Sequence, residues 1–148
     1  MRNVSFCLAG FVTAAAGAAV VDDSSIKTAV AAWLAGAPAA EATYGHISTW
    51  NTSQVTAMSR LFFNAHFFND AIGAWDTSSV TTMFGMFSGA TEFNQPLNDW
   101  DVSRVMHMVG MFAHAESFDR PLGAWDVSRV MSLDSMFYYA SAFDQDLG

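Results

Sequence analysis

The chain has 148 residues, of which 52% are hydrophobic and only 14% are charged, and its net charge is −8. This length suits one domain, and the hydrophobic fraction is ample for a core. The excess of acidic over basic residues, 14 against 6, argues against nucleic-acid binding and against docking on anionic lipid. A single cysteine, Cys7, allows neither an internal disulfide nor a thiolate metal cluster.

The first 21 residues have the layout of a secretory signal peptide. Arg2 precedes an apolar run from Val4 to Val12, and Ala16-Gly17-Ala18 fits a cleavage site. The alternative is an uncleaved membrane anchor, but the stretch is rich in Ala, Gly, Ser and Thr and is therefore weakly hydrophobic. We expect residues 1–21 to be a signal peptide and the protein to be secreted or displayed at the cell surface, without membrane insertion after cleavage.

Residues 22–46 predict an N-terminal cap with one amphipathic helix over 25–35. Its apolar residues have the spacing of a single helix face: Ile26, Val30, Trp33 and Leu34. Acidic and serine residues before this segment suit a helix N-terminus, and Gly36 and Pro38 are expected to end the helix. A stack of repeats exposes its core at its end unless something covers it, and we expect this helix to do so.

Residues 47–148 contain four copies of one unit, the last of them incomplete. The copies begin at tryptophans that are 25 residues apart: Trp50, Trp75, Trp100 and Trp125. A fixed period of this length indicates one structural unit stacked on copies of itself. With each Trp counted as position 1, nearly every copy has Ser at position 4, Val at 6, Met at 9, Phe at 13 and 19, and Ala at 16.

Two periodicities alternate within each copy. Positions 6, 9, 12, 13 and 16 have the spacing of one helix face, and the serine at position 4 can cap such a helix. Position 23 of one copy is followed by the Trp-x-Val pair that begins the next copy. Together they resemble the strand signature L-x-x-L-x-L of leucine-rich repeats. The predicted fold is therefore an α/β repeat solenoid, leucine-rich-repeat-like, with one short strand and one short helix per 25-residue turn and an N-terminal capping helix.

The pattern W-D-[VT]-S-x-V-x-x-M-x-x-M-F-x-x-A-x-x-F-[ND] closely resembles the bacterial surface protein 26-residue repeat. This is the Mycoplasma-type lipoprotein repeat, related to the BspA-like surface proteins. The resemblance covers residues 47–148 and, more loosely, 26–44. It implies a secreted or surface-displayed repeat protein, and BspA-like members are associated with adhesion and host contact. No catalytic residues come with the family.

Position 2, beside each tryptophan, is expected to form an outward acidic line. Its acidic members are Asp76, Asp101 and Asp126, with Asn51 in the first copy. At a strand spacing of about 4.8 Å such carboxylates repel one another. Arg104 and Arg129 at position 5 are placed to offset this charge. A bound Ca²⁺ ion, which takes carboxylate oxygens as ligands, would offset it as well. We favour a solvated acidic face with local hydrogen bonds over a calcium site, and expect no cofactor.

Four aromatic residues occupy positions where the other copies have small or polar residues: Phe63, Phe67, Tyr138 and Tyr139. Exposed aromatic residues on a repeat surface often mark a partner patch, although local packing against the return loop fits as well. Together with the acidic line, Arg104 and Arg129, they are the candidate binding residues.

Other motifs carry little chemistry. Asn51-Thr52-Ser53 is a glycosylation sequon, with meaning in a eukaryotic secretory pathway. His107 and His114 are seven residues apart without a third ligand in phase, so we expect no metal site. No Ser-His-Asp set, glycine-rich phosphate loop or paired-carboxylate cleft stands out, and we expect no enzymatic activity.

The fourth copy stops without a polar cap, which predicts either a longer array or an edge covered by a partner or a second copy. The leading hypothesis is a non-catalytic module that recognises an extracellular protein or glycan. The alternative is a structural wall or matrix component that assembles end to end through the uncapped C-terminal edge.

Overall fold

The computed structural model describes residues 17–147, and all of its named elements precede residue 55. They are strand β1 (Val20–Asp22), helix α1 (Ile26–Ala35), helix α2 (Ala37–Tyr44), a 3₁₀ turn (Ile47–Thr49) and strand β2 (Asn51–Gln54). β1 and β2 pair in parallel, with Val20 opposite Asn51 and Asp22 opposite Gln54. Neither helix of the described chain has the length and apolar character needed to cross a bilayer.

Most of the expected signal peptide, residues 1–16, lies outside the described residues. Its last residues, however, belong to the fold, because Val20 and Val21 are part of β1 and Val21 is buried. The amide of Ala19 also donates to the carbonyl of Tyr44, at 3.0 Å. The folded part therefore begins before Asp22, the residue at which the sequence analysis starts the cap.

Helix α1 confirms the predicted helix to within one residue. Its face toward the core carries Ile26, Val30 and Trp33, all buried, and Gly36 follows its last residue. Two details of the prediction are wrong. Leu34 is exposed, and Pro38 lies in the first turn of α2, where the missing N–H of a proline costs nothing.

Rows of backbone hydrogen bonds join each copy to the next. Equivalent residues at position 8 form parallel bridges: Ala57, Thr82, His107 and Ser132. In the first copy, every second N–H from position 9 to 15 donates to the copy that follows. The amide of Phe62, for example, donates to the carbonyl of Met86, at 2.9 Å. In the opposite direction, the amide of Thr81 donates to the carbonyl of Thr56, at 2.8 Å. Adjacent copies are thus aligned position by position.

The helix predicted within each copy is replaced by tight turns; beyond Tyr44, the described residues contain no α-helix. Positions 11 and 15 are left-handed in all four copies: Arg60, Gly85, Gly110 and Ser135, then Asn64, Gly89, His114 and Tyr139. A left-handed residue every fourth position breaks a right-handed helix, and alternate N–H groups are used by the neighbouring copy. The apolar spacing predicted the inward face correctly but not the backbone that produces it.

Within residues 17–147, the predicted strand occurs only in the first copy, as β2. β1 provides its partner there, whereas the later copies have single bridges at position 8 instead of a Trp-x-Val strand. The predicted inward residues at position 3 are nevertheless buried in the first three copies, as Thr52, Thr77 and Val102 show. Each of the two threonine hydroxyls donates to the main-chain carbonyl at position 2 of the following copy.

The core consists of aromatic ladders that run through the copies. Phenylalanines at position 13 stack with ring centroids 5.4–5.7 Å apart, and those at position 19 with centroids 5.7–6.0 Å apart. The indole N–H of Trp75 donates to the carbonyl of Ile47, and that of Trp100 to Ile72, at 2.8 and 3.2 Å. Each indole thereby satisfies its only donor while its rings are buried. The constant Trp, Met and Phe positions are therefore the core of the first three copies.

Candidate recognition surface

The acidic line is exposed on the surface, as the sequence predicts: Asp76, Asp101 and Asp126. Each carboxylate accepts a hydrogen bond, at 3.0 Å, from the backbone N–H of the serine two residues later. The hydroxyl of Ser78 also donates to Asp76, at 2.6 Å. The serine at position 4 was expected to accept hydrogen bonds at a helix start. Instead it is a donor, and the acidic residue at position 2 is the acceptor.

These hydrogen bonds keep the carboxylates ionised in spite of their neighbours. The Ser78 hydroxyl is the main cause that lowers the pKa of Asp76, while the charge of Asp101 opposes it. The pKa of Asp101 is lowered chiefly by Ser103 and further by the charge of Arg104. Local hydrogen bonding thus accounts for the acidic line as a solvated face. Among residues 17–147, no group of three His, Cys, Asp or Glu side chains is placed to hold a metal ion.

The two arginines at position 5 lie beside this line. Arg104 and Arg129 are exposed and line a shallow polar groove of about 480 Å³ together with Asp126 and Thr81. The charge of Arg129 helps to lower the pKa of Asp126, after the hydrogen bonds from Ser128. The arginines therefore balance part of the negative charge, as the sequence analysis expects.

The exposed aromatic residues form two clusters. In the first cluster, the guanidinium of Arg60 lies over the rings of Phe63 and Phe84, 5.4 and 5.1 Å from their centroids. All three side chains are exposed. Phe63 was expected from the sequence, whereas Arg60 was not. Arg60 lies four residues before Asn64 and has the same left-handed backbone.

The second cluster consists of His114, Tyr138 and Tyr139. The His114 ring stacks on Tyr139, with centroids 5.1 Å apart and planes at 7°, and it meets Tyr138 edge-on at 5.5 Å. The two tyrosines meet each other at 87°. His114, considered above only as a metal ligand, is instead part of an aromatic patch. The 25-residue separation of His114 and Tyr139 is the signal that could have shown this.

Phe67 has a different environment. It is the most exposed of the four selected aromatic residues, at 84%, and lies at position 18 rather than in either cluster. With Phe63, Trp33 and His66 it lines a groove of about 490 Å³ next to α1. The indole N–H of Trp33 donates there to a carboxylate oxygen of Asp70, at 2.8 Å.

Asn51, the glycosylation candidate, lies exposed in β2. Its side-chain oxygen accepts hydrogen bonds from the amide and the hydroxyl of Ser53, at 3.1 and 2.7 Å. It is therefore the first member of the position-2 series, with an amide in place of a carboxylate. Glycosylation of this residue stays a prediction.

A second side-chain ladder escaped the sequence analysis, which treated positions 20–22 only as turns. The amide of Asn94 donates to the side-chain oxygen of Asn69, that of Asp119 to Asn94, and that of Asp144 to Asp119, at 2.9–3.1 Å. Asn or Asp at position 20 of every copy was the available signal. These bonds join the copies along the return loop.

The fourth copy presents an apolar surface, which we call the C-terminal face. It surrounds a cavity of about 470 Å³, and its apolar members are Leu122, Trp125, Val127, Leu133, Met136, Phe137 and Leu147. Several positions that are buried in the first three copies are open here, although Met136 stays buried. Leu133 is 45% exposed, whereas Met58 and Met83 at the same position are fully buried.

A family model described as "Mycoplasma protein of unknown function, DUF285" matches residues 34–148. No curated protein and no solved structure matches the chain.

Proposed function

Because the chain belongs to the DUF285 family of Mycoplasma-type proteins, we propose that it is a non-catalytic surface repeat protein of the BspA-like kind. Its copies build a solenoid that presents a recognition surface to an extracellular protein or glycan. The resemblance to surface repeats and the signal-like N-terminus support a secreted or cell-surface location. The family description itself gives no activity.

The observation that carries this proposal is the division between constant and variable positions. The constant Trp, Met and Phe residues are buried in the first three copies, and backbone rows fix the spacing of those copies. The exposed aromatic residues of both clusters lie at positions that vary between the copies, namely positions 10, 14 and 15. Such a scaffold lets the surface change without cost to the core, a property that suits recognition.

Location and binding are tested separately. Antibodies raised against the folded domain should label intact cells, and brief protease treatment of those cells should remove the signal. Purified protein should bind members of a panel of extracellular proteins and immobilised glycans. An internal location, or failure to bind any member of the panel, contradicts the proposal.

The C-terminal face supports a second candidate, a structural component that self-associates. β1 and α1 cover the opposite edge of the stack. Two molecules would therefore associate through their two C-terminal faces and not in a head-to-tail arrangement. Sedimentation against concentration tests this, with Leu133→Glu to disrupt the face and Leu34→Glu, on the exposed side of α1, as the matched control. A monomer at all concentrations contradicts it.

A further inference from the structure

Positions 14 and 15 form a continuous double row across the four copies. The amide of Asn64 donates to the carbonyl of Ser88, that of Gly89 to Ala113, and that of His114 to Tyr138, at 2.7–2.8 Å. Phe63 and Tyr138 are therefore the two ends of one row. With copies about 4.8 Å apart, their backbones are about 14 Å from each other.

Between these ends, the row at position 14 has only small residues, Ser88 and Ala113. Position 15 has Gly89 in the second copy and His114, which stacks on Tyr139, in the third. Gly89 is left-handed, at φ +76°, and an added Cβ would lie 2.3 Å from the side-chain oxygen of Asn64. The carboxamide of Asn64 thus lies over Gly89, next to the hydroxyl-bearing Ser88. The result is a saddle with a low polar floor between two aromatic clusters.

We propose that this saddle binds a neutral oligosaccharide of about three sugar units, laid across the copies at one unit for each spacing of about 4.8 Å. A sugar ring has apolar C–H faces and hydroxyl edges. Phe63 at one end and Tyr138 with Tyr139 at the other provide aromatic surfaces for the faces. Asn64, Ser88 and the tyrosine hydroxyls provide hydrogen-bonding groups for the edges.

The same geometry disfavours peptides. The amide of Gly89 already donates to the next copy, and the amides of Ser88 and Ala113 donate to carbonyls of their own copies. No floor amide is therefore free for an extended peptide to add as a strand. Proline-rich segments insert between neighbouring aromatic residues, and the middle copies have Ser88 and Ala113 instead. The inference rests on the proposed recognition function and specifies its ligand.

The test is calorimetric titration of the full chain with triacetylchitotriose, cellotriose and maltotriose. We expect at least one to bind with a Kd of about 1 mM or tighter. The other copies supply tolerated replacements: Tyr138→Ala copies Ala113, and Tyr139→Asn copies Asn64, a residue type that accepts the left-handed backbone. The double variant should bind about tenfold more weakly.

Met131→Thr, which copies Thr81 at position 7 and changes an exposed side chain away from the saddle, is the matched control and should keep the affinity, with unchanged circular dichroism in both variants. Binding that the double variant does not weaken overturns the proposal, as does tighter binding of a polyproline peptide at these tyrosines. If no trisaccharide binds while binding to an extracellular protein persists, the saddle proposal fails and the proposed function stands.

Discussion

The two edges of the stacked copies differ, although the same positions form both. At the edge of the first copy, the amides of Thr56 and Ala57 donate to the carboxylate of Asp23, at 2.7 and 3.1 Å. In later copies the amide at position 7 donates instead to the preceding copy, as Thr81 does to Thr56. One carboxylate of the cap thus takes the place of a missing copy.

The fourth copy has no such substitute among the described residues on its outer side, and several of its apolar residues, such as Val127 and Leu133, are exposed. Met58 and Leu133 occupy the same position, yet the methionine is fully buried and the leucine is 45% exposed. Burial here depends on having a neighbouring copy rather than on the residue itself. Equal substitutions should therefore cost different amounts in different copies.

The largest difference is expected at the tryptophans. Trp100→Ala removes a buried indole between two copies and should lower the free energy of unfolding by about 3–5 kcal/mol. Trp125→Ala should cost less, because Trp125 is only half-buried. Urea unfolding followed by circular dichroism measures both. Small and equal losses would show that the tryptophans do not pack between copies.

The glycines at position 24 provide the next comparison. A Cβ on Gly73 would lie 2.7 Å from the carbonyl oxygen of Pro96, whereas one on Gly123 would lie 3.9 Å from that of Asp146. We expect Gly73→Ala to lower stability by about 1–3 kcal/mol, as overpacking does, and Gly123→Ala to be close to neutral. Thermal unfolding of the pair decides; a cost at Gly123 equal to that at Gly73 would contradict the difference between the copies.

Removal of the cap carboxylate should have a smaller effect. Asp23→Ala leaves the amides of Thr56 and Ala57 without their acceptor and should cost about 1 kcal/mol, as the loss of a helix cap does. Asp23→Asn keeps one acceptor oxygen and should lose less. Asp99→Ala, an exposed acidic residue of the second copy, is the control in chemical denaturation. An equal loss in the control would rule out a specific role for Asp23.

Acid should weaken the same edge. The Thr56 hydroxyl is the main cause that lowers the pKa of Asp23 below its ordinary 3.8. The native state therefore binds this proton less readily than the unfolded chain does. The contribution to stability is complete above about pH 4 and is lost as pH falls below that value. Stability measured from pH 6 to pH 2.5 should fall less steeply in Asp23→Asn, and an unchanged slope would contradict this.

The sequence predicted the repeat, its buried positions, helix α1 and the exposure of the acidic line. It could not predict the backbone of positions 9–16. Side chains at positions 9, 12, 13 and 16 point inward both in a helix and in left-handed turns. Gly85, Gly89 and Gly110 were the only sequence signal for these left-handed turns. The signal was weak because other copies have non-glycine residues, such as Arg60 and His114, in the same conformation.

A trace of the repeat pattern also occurs before the predicted array, within the cap. Residues 21–26, Val-Asp-Asp-Ser-Ser-Ile, match positions 1–6 of a copy with Val21 in place of tryptophan. The carboxylate of Asp22 accepts from the amide of Ser24, at 3.0 Å, as Asp76 does from Ser78. This local turn resembles the start of a copy, but β1 pairs with β2 in a different register, with Asp22 opposite Gln54. The predicted 1–21 boundary conceals this, because it assigns Val21 to the signal peptide.

The rows of hydrogen bonds between copies have an evolutionary consequence. Every internal junction joins the same positions in the same register, as the amides of Phe62 and Phe87 show by donating to Met86 and Met111. An in-frame duplication or deletion of one whole copy would therefore recreate a junction already present. The gene can change the length of the surface in single recombination events, while β1 and Asp23 keep their place at its start.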